Sequence, residues 1–271
     1  MFKRDPATYG IGESAVLNII RDQSNPLTRI AELIPPASRV LDVGAGNGLL
    51  ARVLRAKNKP VVIDGIEPDA AASQMAREFY GEFYTGHVQD CLGQIAVGRY
   101  DYIIFADVIE HIADPLPLLS SIAASMGERA KIVLSIPNVA FGAVRMALMA
   151  GDFSYVDSGL LEKTHVRFYT LKTIRELVSL LSLNIEKLYH LRHDIFETEI
   201  PAAEFAVPFS SLARVLKDGL SSTYQFLLVL TKEYVVTEEL CFGKKTTLCR
   251  AWGLSVKRLM KKLLLKRSVS Y

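Results

Sequence analysis

The chain has 271 residues, half of them hydrophobic, with a formal net charge of +3. That length suits one large α/β domain, alone or with appendages, and the apolar share is ample for a core, which excludes a disordered chain. The three cysteines (Cys91, Cys241, Cys249) show no metal-ligand spacing and are odd in number, which argues against a disulfide framework. No apolar run reaches 18 residues and the N-terminus lacks the apolar stretch of a signal peptide, so the expectation is a cytoplasmic protein, with peripheral membrane attachment left open.

Residues 11–34 carry Ile11, Ala15, Val16, Ile19 and Ile20 at helical spacing, and Ile30, Leu33 and Ile34 before Pro35-Pro36, which stops the helix. Val40-Leu41-Asp42-Val43 then reads as a short buried strand. It runs into Gly44-Ala45-Gly46-Asn47-Gly48, where glycines let the backbone turn tightly and approach a ligand. Leu49, Leu50, Val53 and Leu54 follow at helical spacing. A helix start behind a glycine turn at a strand's carboxyl end is where open α/β sheets bind nucleotide-like ligands.

The spacing narrows the ligand. A dinucleotide fingerprint, G-x-G-x-x-G, needs a third glycine at position 49, which is Leu49. The pattern is instead Asp-x-Gly-x-Gly-x-Gly, with Asp42 two residues ahead of Gly44. A carboxylate there repels a pyrophosphate and suits an ammonium group. At Val40 to Gly48 the sequence resembles the class I S-adenosylmethionine-dependent methyltransferases. The resemblance implies that Asp42, Gly44, Gly46 and Gly48 bind that cofactor, and that Tyr9 and the first helices can cover it. A glycine-rich turn with no chemical role is the bland alternative.

Val61 to Glu67 reads as the second strand, with Pro68 and a capping Asp69 beginning the next helix. Glu67, 25 residues after Asp42, stands where a carboxylate can accept both ribose hydroxyls. Phe83 to Gly86 is a weaker third strand. Where the family commonly has Gly-Asp, this chain has Gly86-His87, so adenine recognition falls to Val88, Gln89 or Asp90. Tyr100 to Ala106 is a fourth strand, followed by Asp107-Val108-Ile109-Glu110-His111, a helix from Asp114-Pro115, and a fifth strand from Lys131 to Asn138. The resemblance covers about 30–140 and implies a doubly wound, Rossmann-like α/β sheet of seven strands, six parallel and one antiparallel.

Phe141 to Met149 reads as a short helix, 151–159 as a loop, and 171–182 as a helix. Gly159-Leu160-Leu161, Thr164-His165 and Arg167-Phe168 resemble a branch of the superfamily associated with bacterial cell-surface glycan pathways, which implies a sugar or glycan intermediate as acceptor. Asn184 to Leu191 and Tyr224 to Thr231 are candidate strands six and seven. The intervening 194–222, helical near 209–219, is long enough to suggest a lid or specificity insert in a domain spanning 1–233.

Catalytic groups are expected at the carboxyl ends of the fourth and fifth strands: Glu110, His111 and His165, with Asp107 as a further cofactor contact. A histidine there can take a proton from the methyl acceptor. A sharper alternative is a divalent-metal site of Asp107, Glu110, His111 and His165. It resembles the Glu-x-x-Glu-His arrangement of ubiquinone-pathway and small-RNA 2′-O-methyltransferases, with Asp107 in place of the first glutamate. Arg145, Arg167 and Tyr169 are candidate contacts for an anionic or sugar substrate, or simply packing and surface residues.

Residues 244–271 hold nine of the 32 basic residues and no acidic one, leaving 23 basic against 29 acidic in 1–243, a net of −6. The expected 234–271 extension carries Trp252, Val256, Leu259, Leu263 and Leu264 at helical spacing among lysines and arginines. Such a basic amphipathic helix, about 250–267, suits an anionic membrane surface or a partner, or else packs on its own domain. The acidic body argues against a broad nucleic-acid face. Three functions remain: an O-methyltransferase of glycan-related molecules, a metal-assisted RNA 2′-O-methyltransferase, and a non-catalytic cofactor-binding scaffold.

Overall fold

The structure is a computed structural model that describes residues 13–202, 205, 207–247 and 252–253. Tyr9, and the basic tail apart from its first residues and Trp252-Gly253, lie outside the described residues.

The first region is two helices rather than one, α1 (Glu13–Arg21) and α2 (Pro26–Leu33). Asp22 breaks it by accepting from the backbone N and hydroxyl of Ser24, and Asn25 then caps α2 by accepting from Leu27 N at 2.9 Å, ahead of Pro26. Next come β1 (Arg39–Val43), α3 (Leu49–Ala56), β2 (Val62–Glu67), α4 (Ala70–Ala76), β3 (Phe83–Thr85), α5 (Val88–Cys91), β4 (Tyr102–Ala106), α6 (Leu116–Ser125) and β5 (Lys131–Pro137). Asp69 caps α4 as its sequence position suggests, accepting from Ala71 and Ala72 N at 2.9 Å. After these lie α7 (Gly142–Met149), α8 (Leu171–Leu180), β6 (Asn184–Arg192), α9 (Phe209–Lys217), β7 (Thr223–Thr231) and β8 (Glu238–Gly243).

The chain divides into two compact units. One comprises residues 1–137, 164–191 and 225–242 and carries the sheet, in the order β3-β2-β1-β4-β5-β7-β6-β8. β1 pairs in parallel with β2 and β4, β2 with β3 and β4 with β5, whereas β7 runs antiparallel to β5. The fold class stands, but the strand number is corrected from seven to eight. The sheet runs past the boundary expected at 233, because β8 joins it. Leu240 and Phe242 of β8 pack on the core, and the Phe242 ring stacks on Tyr189 at 5.7 Å with the Arg29 guanidinium 4.4 Å above it.

Predominantly apolar runs in β1, β4 and β5 reflect burial on both faces. Val40, Ile104 and Val133 point into the cluster with Ile30, Leu50, Val53 and Leu54 of α2 and α3. The alternating Leu41, Ile103, Phe105, Ile132 and Leu134 are equally buried on the opposite side. Each fully buried aliphatic side chain of this kind contributes about 1.5–3 kcal/mol of burial free energy.

The second unit comprises 138–163, 192–224 and 243–271, so the insert expected at 194–222 folds with the segment after β5. Buried Asn138 donates from Nδ2 to Thr223 O (2.7 Å) and accepts at Oδ1 from Ala140 N (3.0 Å). Glu199 accepts from Leu160 N (2.8 Å) and the Tyr224 hydroxyl (3.0 Å), and Thr246 accepts from Ile195 N (2.8 Å).

Candidate active site

Strand order reverses between β1 and β4, because β2 and β3 lie to one side and β5 to the other. The crevice at the carboxyl ends of these two strands is the topological switch point, where open α/β sheets bind ligands. The glycine loop leaves β1 at that point. Gly44, Gly46 and Gly48 all have left-handed backbones, at φ +74°, +55° and +81°. At Gly44 an added Cβ would lie 2.6 Å from Val108 Cγ2, so the turn after β4 packs directly on the loop. At Gly46 an added Cβ would meet no protein atom within 4 Å, which leaves the loop backbone open to a ligand.

Glu67, at the carboxyl end of β2, organises this crevice. Its Oε2 accepts from Gly46 N (2.8 Å) and its Oε1 from Asp69 N (2.9 Å), while its backbone carbonyl accepts from Gly86 N and the Ser73 hydroxyl, both at 3.0 Å. The carboxylate thus ties the glycine loop to the start of α4. Each oxygen keeps acceptor capacity for a ribose hydroxyl.

Asp42 is 2% exposed, and its Oδ2 accepts from the Tyr80 hydroxyl at 2.6 Å. Burial pushes its carboxyl up to about 7, opposed by the Tyr80 hydrogen bond and reinforced by Glu67. The same burial and the neighbouring Asp42 hold the Tyr80 hydroxyl well above the ordinary tyrosine range. The structure therefore shows Asp42 bracing the loop from beneath through Tyr80, a partner that sequence spacing did not indicate. Val88 opens α5 just beyond β3, with its side chain buried.

The segment after β4 carries the reactive groups. Asp107 adopts φ +56°, and Ile109–His111 form a single 3-10 turn. Glu110, His111 and His165 each bring one ligand atom within 4.8 Å of the others. Glu110 is 1% exposed and His165 7%. The two imidazoles meet edge to face with centroids 4.8 Å apart. His111 Nδ1 lies 3.1 Å from Thr164 O and 3.1 Å from Thr164 Oγ1. A carbonyl oxygen only accepts, so the tautomer that satisfies this contact carries its proton on Nδ1 and its lone pair on Nε2.

The backbone holds the two segments together. Val166 N and Arg167 N donate to Glu110 O at 2.9 and 3.0 Å, and Arg167 Nε donates to Ala113 O. Arg167 thus serves as a brace. Tyr169 is buried, which raises its hydroxyl to about 12, and Arg145 pairs with Asp218 at 2.7 Å in the second unit.

Asp107 is absent from the group of three, which corrects the four-residue metal set expected from the sequence. Its Oδ1 accepts from Gln225 Nε2, and its left-handed backbone turns the chain before Glu110 is reached. The remaining set, one carboxylate and two imidazoles, fits a divalent transition metal or zinc. The Thr164 contact on His111 is of the kind that orients a metal-bound imidazole. Sequence reading missed the roles of Tyr80, Val108 and Gln225; Val108 fills an unspecified position of the Asp107–His111 pattern, the other two belong to no motif, and only their distant partners reveal them.

A left-handed glycine loop at the switch point, with a carboxylate on the neighbouring strand end, defines a nucleoside-binding α/β fold. A family described as a methyltransferase domain matches residues 18–188, well over half the chain. The chain belongs to that family, and its fold is that of the class I S-adenosylmethionine-dependent methyltransferases. It is 25% identical over 127 residues to a ubiquinone biosynthesis O-methyltransferase of Xanthomonas axonopodis pv. citri (strain 306), covering 45% of this chain and 53% of the relative. It is 27% identical over 139 residues to the tRNA 5-carboxymethoxyuridine methyltransferase of Escherichia coli (strain K12), covering 49% and 53%. The chain thus spans about half the length of these curated relatives.

Among solved structures, the putative methyltransferase in complex with the Haloferax volcanii Trm112 activator aligns with a TM-score of 0.55 at 14% identity, over 86% of this chain and 100% of that one. Magnesium protoporphyrin IX methyltransferase from Synechocystis PCC 6803, solved with S-adenosylhomocysteine, aligns with a TM-score of 0.52 at 16% identity, over 84% and 92%. At such identities the likeness concerns the fold.

Proposed function

We propose that the protein is an S-adenosylmethionine-dependent methyltransferase acting on oxygen, with a sugar or glycan-related small molecule as acceptor. The observation that carries this reading is the gathering of Glu110, His111 and His165 within 4.8 Å, on and beside the turn whose Val108 lies against Gly44 of the glycine loop. Proton-accepting groups and the cofactor loop thus lie at the carboxyl ends of the adjacent strands β4 and β1.

S-adenosylmethionine, when bound, supplies a methyl group on a positively charged sulfur. Gly46 would leave its approach open, Glu67 would accept its ribose hydroxyls, and Val88 would lie on the side of its adenine. In-line transfer forms the oxygen–carbon bond as the carbon–sulfur bond breaks, and the acceptor hydroxyl must lose its proton. His111, its Nδ1 proton directed at Thr164 O, offers Nε2 as the base. His165 and Glu110 lie beside it. Glu110 and His165 are buried, and His111 is half-buried.

Oxygen is favoured by the O-methyltransferase relatives, and a glycan-related acceptor by the Gly159-Leu160-Leu161, Thr164-His165 and Arg167-Phe168 pattern. Acceptor selection by 194–222 rests on that insert's length. A metal-assisted reading stands second: Glu110, His111 and His165 would hold a divalent ion, whose contribution would be to lower the acceptor hydroxyl's pKa. An RNA acceptor is disfavoured by the net charge of −6 over residues 1–243.

No helix among the described residues is long and apolar enough to cross a membrane. That the protein is cytoplasmic and attaches peripherally to anionic lipid through 250–267 is part of the proposal. It rests on the basic sequence and on Trp252, which is 61% exposed. If deletion of 244–271 leaves binding to anionic vesicles unchanged, that attachment is wrong.

The test of the main reading has two stages. Calorimetric titration with S-adenosylmethionine should show saturable binding, and a failure to bind would overturn the cofactor assignment. Transfer of a labelled methyl group should then proceed to cell-surface glycan precursors and not to RNA. Transfer to RNA would favour the second acceptor class, and binding without transfer to any acceptor would mark a scaffold.

A further inference from the structure

Asp107 is an exposed residue with a left-handed backbone, φ +56°, a conformation uncommon outside glycine that aspartate and asparagine tolerate better than other residues. Such a conformation persists where the surroundings enforce it. Here the enforcement comes from two neighbouring strands. Asp107 N donates to Ser135 O of β5 at 3.2 Å, and Asp107 Oδ1 accepts from Gln225 Nε2 of β7. The same Gln225 nitrogen donates to Ser135 Oγ at 2.5 Å. One buried primary amide therefore divides its two N–H groups between the end of β4 and the interior of β5.

What Asp107 turns matters to the whole crevice. The next residue, Val108, sits against Gly44, and the following three form the 3-10 turn that presents Glu110 and His111. We infer that Gln225 is a positioning residue: by donating to Asp107 it holds the turn that seats Val108 on the cofactor loop and aims Glu110 and His111. The inference rests on the reading of that loop as a cofactor site. Gln225 touches no reacting group; its effect passes through Asp107.

The test is calorimetry with S-adenosylhomocysteine on the full chain, which needs no knowledge of the acceptor. Gln225→Glu sets a carboxylate against the Asp107 carboxylate and should weaken binding about tenfold, the middle of the range for groups in direct contact. Combining it with Asp107→Asn exchanges donor and acceptor, since the new amide at 107 can donate to the new carboxylate at 225. The double variant should return to within about threefold of Asp107→Asn alone. A double variant as weak as the product of the two single losses would overturn the inference, because general loss of packing is not repaired by reversing one hydrogen bond. Gln225→Leu, near in size and uncharged, gives a second measure should Gln225→Glu fail to fold. Measured well below its melting transition, it should weaken binding at least about threefold, and unchanged affinity would overturn the inference. If the wild-type chain itself fails to bind, the cofactor reading falls instead.

Discussion

The Tyr80 hydroxyl donates to Asp42 Oδ2 at 2.6 Å, joining the end of the α4 region to the strand that precedes the glycine loop, 38 residues away in sequence. Removing the donor leaves a buried carboxyl without that partner. Tyr80→Phe should lower stability by about 1–3 kcal/mol, the usual cost of losing a buried hydrogen bond. Chemical denaturation measures it, and a loss below a few tenths would show that the pair does not brace the loop.

The same pair predicts a pH dependence. The Asp42 carboxyl is raised from an ordinary 3.8 to about 7, so between those values the folded chain holds a proton that the unfolded chain releases. Its contribution to stability is therefore fully present below about pH 4, is lost as pH rises toward 7 and is constant above. Asp42→Asn lacks this titration. The stability of the wild type relative to this variant should fall by on the order of 4 kcal/mol between pH 4 and pH 8. A pH-independent difference would refute the raised carboxyl.

Gly44 and Gly46 should respond differently to alanine. Both pay for a left-handed backbone, about 1 kcal/mol. At Gly46 the new methyl enters open space, so Gly46→Ala should fold and lose cofactor affinity. At Gly44 it collides with Val108 Cγ2, so Gly44→Ala should also lose stability. Equal melting temperatures for the two variants would contradict this.

Glu67 accepts two backbone N–H groups through two oxygens. Gln offers one acceptor oxygen, so Glu67→Gln should strand one of those donors and weaken S-adenosylhomocysteine binding about tenfold or more, consistent with a charge-assisted bond of about 1.5–3 kcal/mol. An unchanged affinity would remove Glu67 from the cofactor site.

His111→Ala should cut methyl transfer by about 10²–10⁴-fold, as expected for loss of a general base. S-adenosylhomocysteine binding should stay within a factor of about three, because the residue lies on the acceptor side. Chelation separates the two mechanisms: transfer that survives removal of divalent ions supports the histidine base, and transfer abolished by chelator and restored by added metal supports the Glu110, His111 and His165 centre.

Much of the fold was legible because it is written locally. Largely apolar runs at Val40–Val43 and Ile132–Ile136, each interrupted by one polar residue (Asp42, Ser135), marked strands buried on both faces, and the Asp69 cap and Gly44–Gly48 marked helix starts and the loop. β8 was not legible. Its Glu238-Glu239-Leu240-Cys241-Phe242 offers only two alternating apolar positions, as expected of an edge strand bearing charge, and nothing local separates that from a tail.

The sequence by itself determined the sheet's parallel core, the cofactor loop and the residue types that could do chemistry, since these depend on spacings of a few residues. Only the tertiary structure decided which of those residues meet. It placed Thr164 and His165 against His111, more than fifty positions earlier, Gln225 on Asp107 across 118, and Asp107 outside the Glu110 group. Such pairs follow from strand order and from the handedness of a single turn. The order in which strands assemble, and the φ of Asp107, are fixed by long-range packing that no local period encodes.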